Sequence, residues 1–331
     1  MSPVVSIIIP VHNVENYIRV CLDSVLNQSF TDFEVICIDD CSRDSSYAIL
    51  KEYEQRDTRI RVFQNEKNIM ASGSRNVGLD NATGEYVYFI DSDDYIDRDY
   101  LSELVGMARK SGADITTNLN IKTHSNGNTT VYIHPNMPEI PDEGCFLDRK
   151  TTIEKAFCVV WMRIFKRAFI EENQIRFKHL YMVEDNVFHY MTSFHASSIY
   201  YFNGKQTYHY MIREDSVTGV VKKRNERDLS TMKANELIFD YLSEKGLLEK
   251  NDAKLFNTYP FFKVDTKAKY DQYKGYFQKI LDFLNNHKDM YNEMDWFFVN
   301  SILNSDSLED YLSRYSANLA MGFVKSKMKK R

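Results

Sequence analysis

Glycine and proline are scarce in this chain, with 12 Gly and 6 Pro in 331 residues. That scarcity excludes long disordered linkers and low-complexity tracts. The 5 cysteines, Cys21, Cys37, Cys41, Cys145 and Cys158, are irregularly spaced and form no CxxC pair, which argues against zinc. No run approaches about 18 consecutive apolar residues, so no membrane span is expected. Neither GxGxxG nor GxxxxGK[ST] occurs, which removes the dinucleotide fold and the P-loop. The formal charge of -5 lacks the basic excess of a nucleic-acid binder. Residues 1–10 have no basic n-region and carry Pro10 inside their apolar run. A secretory leader is therefore not expected, and a reduced, cytoplasmic protein is.

What is present is a large apolar stock. The chain is 43% hydrophobic, with 22 Tyr and 21 Phe, enough for one elaborated domain or a large domain plus a smaller one. The first 118 residues alternate strand and helix signals. "VVSIII" (Val4–Ile9) is a β-branched run stopped by Pro10. Val14, Tyr17, Ile18, Cys21, Leu22, Val25 and Leu26 then fall on one helical stripe, with Asn13 as its N-cap. "FEVICID" (Phe33–Asp39), "IRVFQ" (Ile60–Gln64), "EYVYFI" (Glu85–Ile90) and "ADITTN" (Ala113–Asn118) read as strands. Helices are expected near 44–55, 71–81 and 98–111. Such alternation implies a mainly parallel sheet flanked by helices. Residues 119–150 read as a loop-rich or hairpin connection with "SNGN" as its turn. Residues 151–225 mix helix and strand, and the chain is mostly helical from about 226.

In a parallel sheet, ligands bind at the carboxyl ends of the strands. Strand one exits into "PVHN", strand two into Asp39-Asp40, and strand four into Asp91, Asp93 and Asp94, so these polar clusters share one edge. An extended Asp-x-Asp points both carboxylates the same way and suits Mg²⁺ or Mn²⁺, which take one or two carboxylates plus substrate phosphates. Taken alone, the same cluster also reads as a solvated loop capping the helix at 98–111, with Asp97 and Asp99 as cap residues. A phosphatase nucleophile is disfavoured, because that motif follows the first strand. Asp39-Asp40 alone reads equally as a turn or an N-cap.

The ordered series "VSIIIPVHNVENYIRVCLDSVLNQSFTDFEVICIDDCSRDSS" and "ASGSRNVGLDNATGEYVYFIDSDD" resembles the family 2 nucleotide-sugar glycosyltransferases of the GT-A fold. The likeness is close over 3–118 and continues more loosely through "WMRIFKR", "VEDNVF" and "YHYMIREDSVTG". It implies a nucleotide-sugar-binding half at 1–118, an acceptor-binding and catalytic-base half at 119–225, and a helical C-terminal region with a basic tail at 226–331.

The resemblance also implies roles. Pro10, His12, Asn13 and Glu15 line the floor under the nucleoside, with His12 in place of a frequent Tyr. Asp40 reads the uracil edge, with Asp39 beside it. Arg75 approaches the base or diphosphate. Asp91 is the ribose-side acid, and Asp93, with Asp91, the metal site for Mn²⁺ or Mg²⁺. Glu184 and Asp185 supply the catalytic base, with Asp185 preferred. Arg213 and Ser216 close on the diphosphate. Cys41 and Met70 each stand where the family commonly has Gly. Trp161 fits either the core or an acceptor wall, and His209 either a structural role or a further metal ligand.

The function so implied is inverting transfer of a hexosyl or N-acetylhexosaminyl group from a nucleotide-sugar, UDP by analogy, to a saccharide or lipid-linked glycan. The alternatives are a catalytically silent nucleotide-sugar-binding subunit and a nucleotidyltransferase; "PVHNVENY" is not the Gly-rich phosphate loop that the second requires. A last helix is expected from Ser307, bearing Leu308, Tyr311, Leu312, Tyr315, Leu319 and Phe323. The tail Lys325, Lys327, Lys329, Lys330 and Arg331 suits either a helix C-terminus or peripheral membrane contact through 308–331.

Overall fold

The β-branched run at the start of the chain forms strand β1, Val5–Val11, with all but one residue buried. β1 belongs to a computed structural model that describes residues 2–133, 137–141, 143–156, 158–213, 216, 224–248, 264, 266–290 and 293–313. Unlike the expected stop at Pro10, the strand runs through it. Even-numbered residues of β1 face β4 (Tyr86–Phe89), as the bond from Tyr86 N–H to the Val4 carbonyl shows. That pairing ends at Ile8 opposite Phe89, so at Pro10 no partner strand remains on that side. The missing N–H of proline therefore leaves no ladder bond unmade.

β2 (Phe33–Asp39) and β3 (Ile60–Gln64) complete a parallel set with β1 and β4. The remaining strands are β5 (Tyr95–Ile96), β6 (Ile115–Asn118), β7 (Ile121–Ser125), β8 (Asn128–Tyr132), β9 (Cys145–Leu147), β10 (Arg163–Lys166), β11 (Ile199–Phe202) and β12 (Tyr208–Met211). The main sheet has the order β3-β2-β1-β4-β10-β6-β11-β9. β10 runs antiparallel to β4 and β6, and β9 antiparallel to β11; the others run together. The expected mainly parallel sheet is thus present. A second sheet has the order β5-β12-β7-β8. Its β7–β8 hairpin turns at Asn126 and Gly127, both with positive φ (49° and 77°), as "SNGN" predicts.

The helices of the first compact unit, Met1–Val221, are α1 (Ile18–Leu26), α2 (Ser46–Arg56), α3 (Met70–Asn81), α4 (Tyr100–Ser111), α5 (Arg149–Lys155), α6 (Arg167–Glu172) and α7 (Glu184–His195). Asn13 is not the N-cap of α1. Residues 14–17 make a turn first, Tyr17 takes the cap position, and Asn13 sits in the left-handed region at φ 52°. α3 presses closely on the strands: a Cβ on Gly78 would stand 2.3 Å from the Ile8 side chain. That close approach sets Arg75, one turn earlier, beside the strand ends.

The second unit, Lys222–Arg331, contains α8 (Arg224–Glu244), α9 (Lys267–Asn286) and α10 (Glu293–Leu303), in keeping with its polar helical pattern. α9 buries Tyr270, Tyr273, Phe277, Ile280 and Leu284, one stripe at helical spacing. Residues 308–313 are helical and Tyr311 is buried; Tyr315, Leu319, Phe323 and the basic tail lie outside the described residues. Among the described residues, no helix is long and apolar enough to cross a membrane.

Candidate functional site

Asp91 leaves the end of β4, and Glu184 and Asp185 open α7, more than ninety residues later in the chain. Arg75 joins them. Its Nη2 donates to Asp91 Oδ1 at 2.8 Å, and its Nη1 donates to Glu184 Oε1 at 2.8 Å and Asp185 Oδ1 at 3.2 Å. The guanidinium is buried, 5.4 Å above the ring of Phe177. Burial alone lowers the pKa of an arginine; here Asp185, Asp91 and Glu184 together outweigh it and raise it. Burial is also the main influence on Asp185. It pushes that carboxyl up to about 7, with Arg75 opposing and Glu184 and Asp91 adding repulsion. The residue before the pair, Val183, has φ 59°. A β-branched residue there is strained, at the turn from which both acids are presented.

The strand β12 runs behind the acidic loop and anchors it. Tyr208 Oη donates to Asp94 Oδ2 at 2.6 Å, and the Met211 N–H donates to Asp94 Oδ1 at 2.8 Å. Immediately after β12, Arg213 Nε donates to Asp93 Oδ2 at 2.8 Å, and the guanidinium lies 4.5 Å above the ring of Tyr17. Burial raises the pKa of Asp93, Asp91 adds to the rise, and Arg213 opposes it. Asp94 is raised further by burial and by its two neighbours. Ser216 Oγ donates to the Arg213 carbonyl at 2.9 Å.

The loops after β1 and β2 interlock. His12 Nδ1 donates to the Asp40 carbonyl at 2.7 Å and its Nε2 accepts from Asn13 Nδ2 at 3.0 Å. Asn13 Oδ1 accepts from the Arg43 N–H at 2.7 Å, and Glu15 Oε2 from the Ser45 N–H at 2.8 Å. Asp40 is buried, and its Oδ1 accepts from the Ile69 N–H and Asn65 Nδ2, each at 2.8 Å. Asp39 is fully buried; its Oδ2 accepts from Gln64 and Ser42, and its Oδ1 has no partner. Cys41 and Met70 have φ 56° and 64°. Both departures from glycine therefore fall where glycine is least strained, at a cost of roughly 1–2 kcal/mol each.

Two side chains with open roles have well-defined surroundings. His209 Nε2 donates to Asp97 Oδ1 at 3.0 Å, and its Nδ1 is 2.8 Å from His124 Nε2, with Tyr95 stacked on its ring at 4.2 Å. Both nitrogens are engaged within the second sheet, which is a structural role. Asp97 serves that network rather than a helix cap, and Asp99 holds the α4 cap position without a side-chain bond. Trp161 is buried and stacks on Tyr208 at 4.2 Å.

The structure thus gathers Asp91, Arg75, Glu184 and Asp185 into one contact network, and Asp93, Arg213 and Tyr17 into another. His12, Asn13, Glu15 and Asp40 form a separate interlock at the ends of β1 and β2. Sequence reasoning missed Tyr17, Asn65, Phe177, Tyr208 and the strained Val183. A tyrosine inside an apolar stripe looks like core, so only Val183 before an acidic pair carried a usable signal.

The described residues contain no cluster of three His, Cys, Asp or Glu side chains able to hold a metal by themselves. A hard divalent cation does fit the Asp91 and Asp93 carboxylates. These are oxygen donors in a half-buried acidic loop, where burial first and then the Asp91 charge raise Asp93, and phosphate oxygens supply the rest of such a shell.

The described geometry agrees with comparisons to known proteins. Residues 6–173 match the family model "Glycosyl transferase family 2". EpsH of Bacillus subtilis (strain 168) is 31% identical over 255 residues, covering 75% of this chain and 72% of EpsH. Glycosyltransferase GlyA of Streptococcus pneumoniae serotype 4 is 32% identical over 224 residues, 65% of this chain but only 32% of GlyA. The chain thus spans about a third of the length of that relative. In three dimensions, S. aureus TarS 1–349 in complex with UDP matches with a TM-score of 0.72 at 20% identity, covering 97% of this chain and 92% of TarS 1–349. The fold is that of GT-A proteins, and the chain belongs to glycosyl transferase family 2.

Proposed function

We propose that this chain is an inverting, metal-dependent glycosyltransferase that moves a hexosyl or N-acetylhexosaminyl group from a UDP-sugar to a hydroxyl of a saccharide or lipid-linked glycan. The observation that carries the proposal is the Arg75 bridge. It joins the acid at the end of β4 to the acidic pair of α7, so donor-side and acceptor-side chemistry share one network.

The acceptor hydroxyl, with a pKa far above 7, must lose its proton as it attacks. Asp185 takes that proton, and burial tunes it to do so, because a base works best with a pKa near the working pH. Arg75 holds Asp185 and Glu184 in place and is itself kept charged by them. Asp40 and the floor of Pro10, His12, Asn13 and Glu15 receive the nucleoside, with Asp39 bracing the turn. Asp91 faces the ribose. Asp93 and Asp91 would hold a divalent ion, which when bound would supply charge neutralisation for the departing diphosphate. Arg213 adds a positive group there, and Ser216, bonded to the Arg213 carbonyl, supports it. Attack from the face opposite the diphosphate inverts the anomeric centre without an enzyme nucleophile.

In this reading residues 1–118 hold the donor, 119–225 supply the base and acceptor wall, and 226–331 form the helical region. TarS is described in complex with UDP, which supports uridine as the nucleoside. The reading places the protein in the cytoplasm, at the inner face of the membrane if the basic tail touches lipid. A panel of nucleotide-sugars with Mn²⁺ or Mg²⁺, read by donor hydrolysis and thermal shift, tests it. Turnover of a UDP-sugar is expected. Binding without turnover on any acceptor points to a silent binding subunit, and absence of both overturns the proposal.

A further inference from the structure

Resting on that reading, we infer that Asp93 and the ring of Tyr17 form a seat that holds Arg213 where the metal would bind, so that Arg213 and a divalent cation are alternative partners of Asp93. Tyr17 is thereby a positioning residue for Arg213.

The acidic loop places three carboxylates within four residues, and each has its own partner. Asp91 is held by Arg75, and Asp94 by the Tyr208 hydroxyl and the Met211 N–H. Asp93 is held by Arg213, through a single Nε–H···Oδ2 bond of 2.8 Å between side chains that are each less than one-fifth exposed. The guanidinium is clamped on its other side by the Tyr17 face at 4.5 Å. The contact places a positive charge on one oxygen of the carboxylate that the proposed function assigns to a cation. A dication and a guanidinium cannot share one carboxylate without strong mutual repulsion.

The exchange has a direction. Arg213 follows the last residue of β12 by two positions, and β12 is pinned to the loop through Asp94. Its backbone origin is therefore fixed while its long side chain can swing. A diphosphate entering with the metal offers Arg213 a new anionic partner as it loses Asp93. Metal and nucleotide therefore each help the other to bind, and that coupling is reciprocal. A metal alone must displace Arg213 from Asp93 without supplying a diphosphate in exchange, and binds weakly.

The test measures Mn²⁺ binding to the full chain by the EPR signal of free Mn²⁺, with and without UDP, so it needs no turnover. For the unaltered protein, weak Mn²⁺ binding that UDP strengthens is expected. Arg213→Ala and Arg213→Gln each remove the competitor. Both are expected to bind Mn²⁺ alone roughly tenfold more tightly, as loss of a charge-assisted hydrogen bond implies, while UDP strengthens that binding less. Tyr17→Ala loosens the seat and is expected to tighten Mn²⁺ alone about threefold, the scale of a cation–π contact, with Tyr17→Phe behaving as wild type. If Asp93→Ala abolishes Mn²⁺ binding but the Arg213 and Tyr17 variants bind Mn²⁺ alone no better than wild type, the seat is wrong and the metal site stands. If Asp93→Ala leaves Mn²⁺ binding in the presence of UDP unchanged, the metal role fails and the seat fails with it.

Discussion

The two ends of the main sheet treat a buried carboxylate in opposite ways. Near the amino end of β2, Glu34 is buried and fully answered. Its Oε1 accepts from Ser6 Oγ at 2.7 Å and from the Thr83 N–H and Oγ1 at 2.8 Å each, and its Oε2 from Arg61 at 3.0 Å. Burial would raise its pKa, but these bonds outweigh burial and hold it below the usual carboxylate range. At the carboxyl end, Asp93, Asp94 and Asp185 are all raised, because burial and like charge exceed what their donors return. The contrast separates a charge that serves the fold from charges that the proposed function assigns to a ligand. A satisfied network adds rigidity, whereas an under-satisfied one stores repulsion that a cation or substrate can relieve.

The sharpest break of that comparison is at its two extremes. Asp185→Asn keeps the shape and removes the base, so transfer should fall by about 10²–10⁴-fold while UDP affinity is retained. Turnover near wild type in a steady-state assay would end the base assignment. Glu34→Ala should do the converse. It strands the Ser6 and Thr83 donors, destabilising the fold by roughly 2–3 kcal/mol in urea titration, with kcat per folded molecule unchanged. A loss of kcat without a loss of stability would mean that the two ends are not separate in role.

The next effect is a pH dependence of opposite sign at the two ends. The folded pKa of Asp185, about 7, lies above its unfolded value near 4. Between those values the native state binds more protons than the unfolded one, so this group's contribution to stability falls as pH rises through that window. The groups facing it are Arg75, Glu184, Asp91 and the Val160 N–H. Glu34 is depressed, so its contribution is present above its unfolded pKa and is lost as pH falls through the folded one. Thermal melts from pH 4 to 8 without metal or donor should show the Asp185 slope, and Asp185→Asn should remove it. An unchanged slope in that variant would place the titration elsewhere.

Much of the fold was open to reading from sequence because it rests on local signals. β2 and β3 begin and end where β-branched periodicity places them, and the hairpin turn falls on Asn126-Gly127. The failures came where a tertiary partner decides. Pro10 continues β1 because β4 has already ended, and Asn13 turns left-handed to bind Arg43 instead of capping α1. The site divides the same way. Its acids stand out as residue types at strand ends, but that Arg75 links Asp91 to Asp185 depends on Gly78 letting α3 close on the sheet. No spacing in the chain encodes that contact.

The smallest effect concerns strain, and it divides the carboxyl end itself. Cys41, Met70 and Val183 are all non-glycine residues with positive φ, at 56°, 64° and 59°, and all border the acidic network or the interlocked loops after β1 and β2. Left-handed backbone costs a side chain with Cβ roughly 1–2 kcal/mol, most for a β-branched one, while glycine gives back part of that as extra unfolded-state entropy. Val183→Gly should therefore stabilise the protein by about 1 kcal/mol, raising Tm by ~2 °C, with Met70→Gly and Cys41→Gly gaining less. If strain at Val183 also aims Glu184 and Asp185, the gain in Tm should come with a lower kcat and an unchanged KM for donor. A stabilised variant with full kcat would show that Arg75 alone is enough to hold the acidic pair in place.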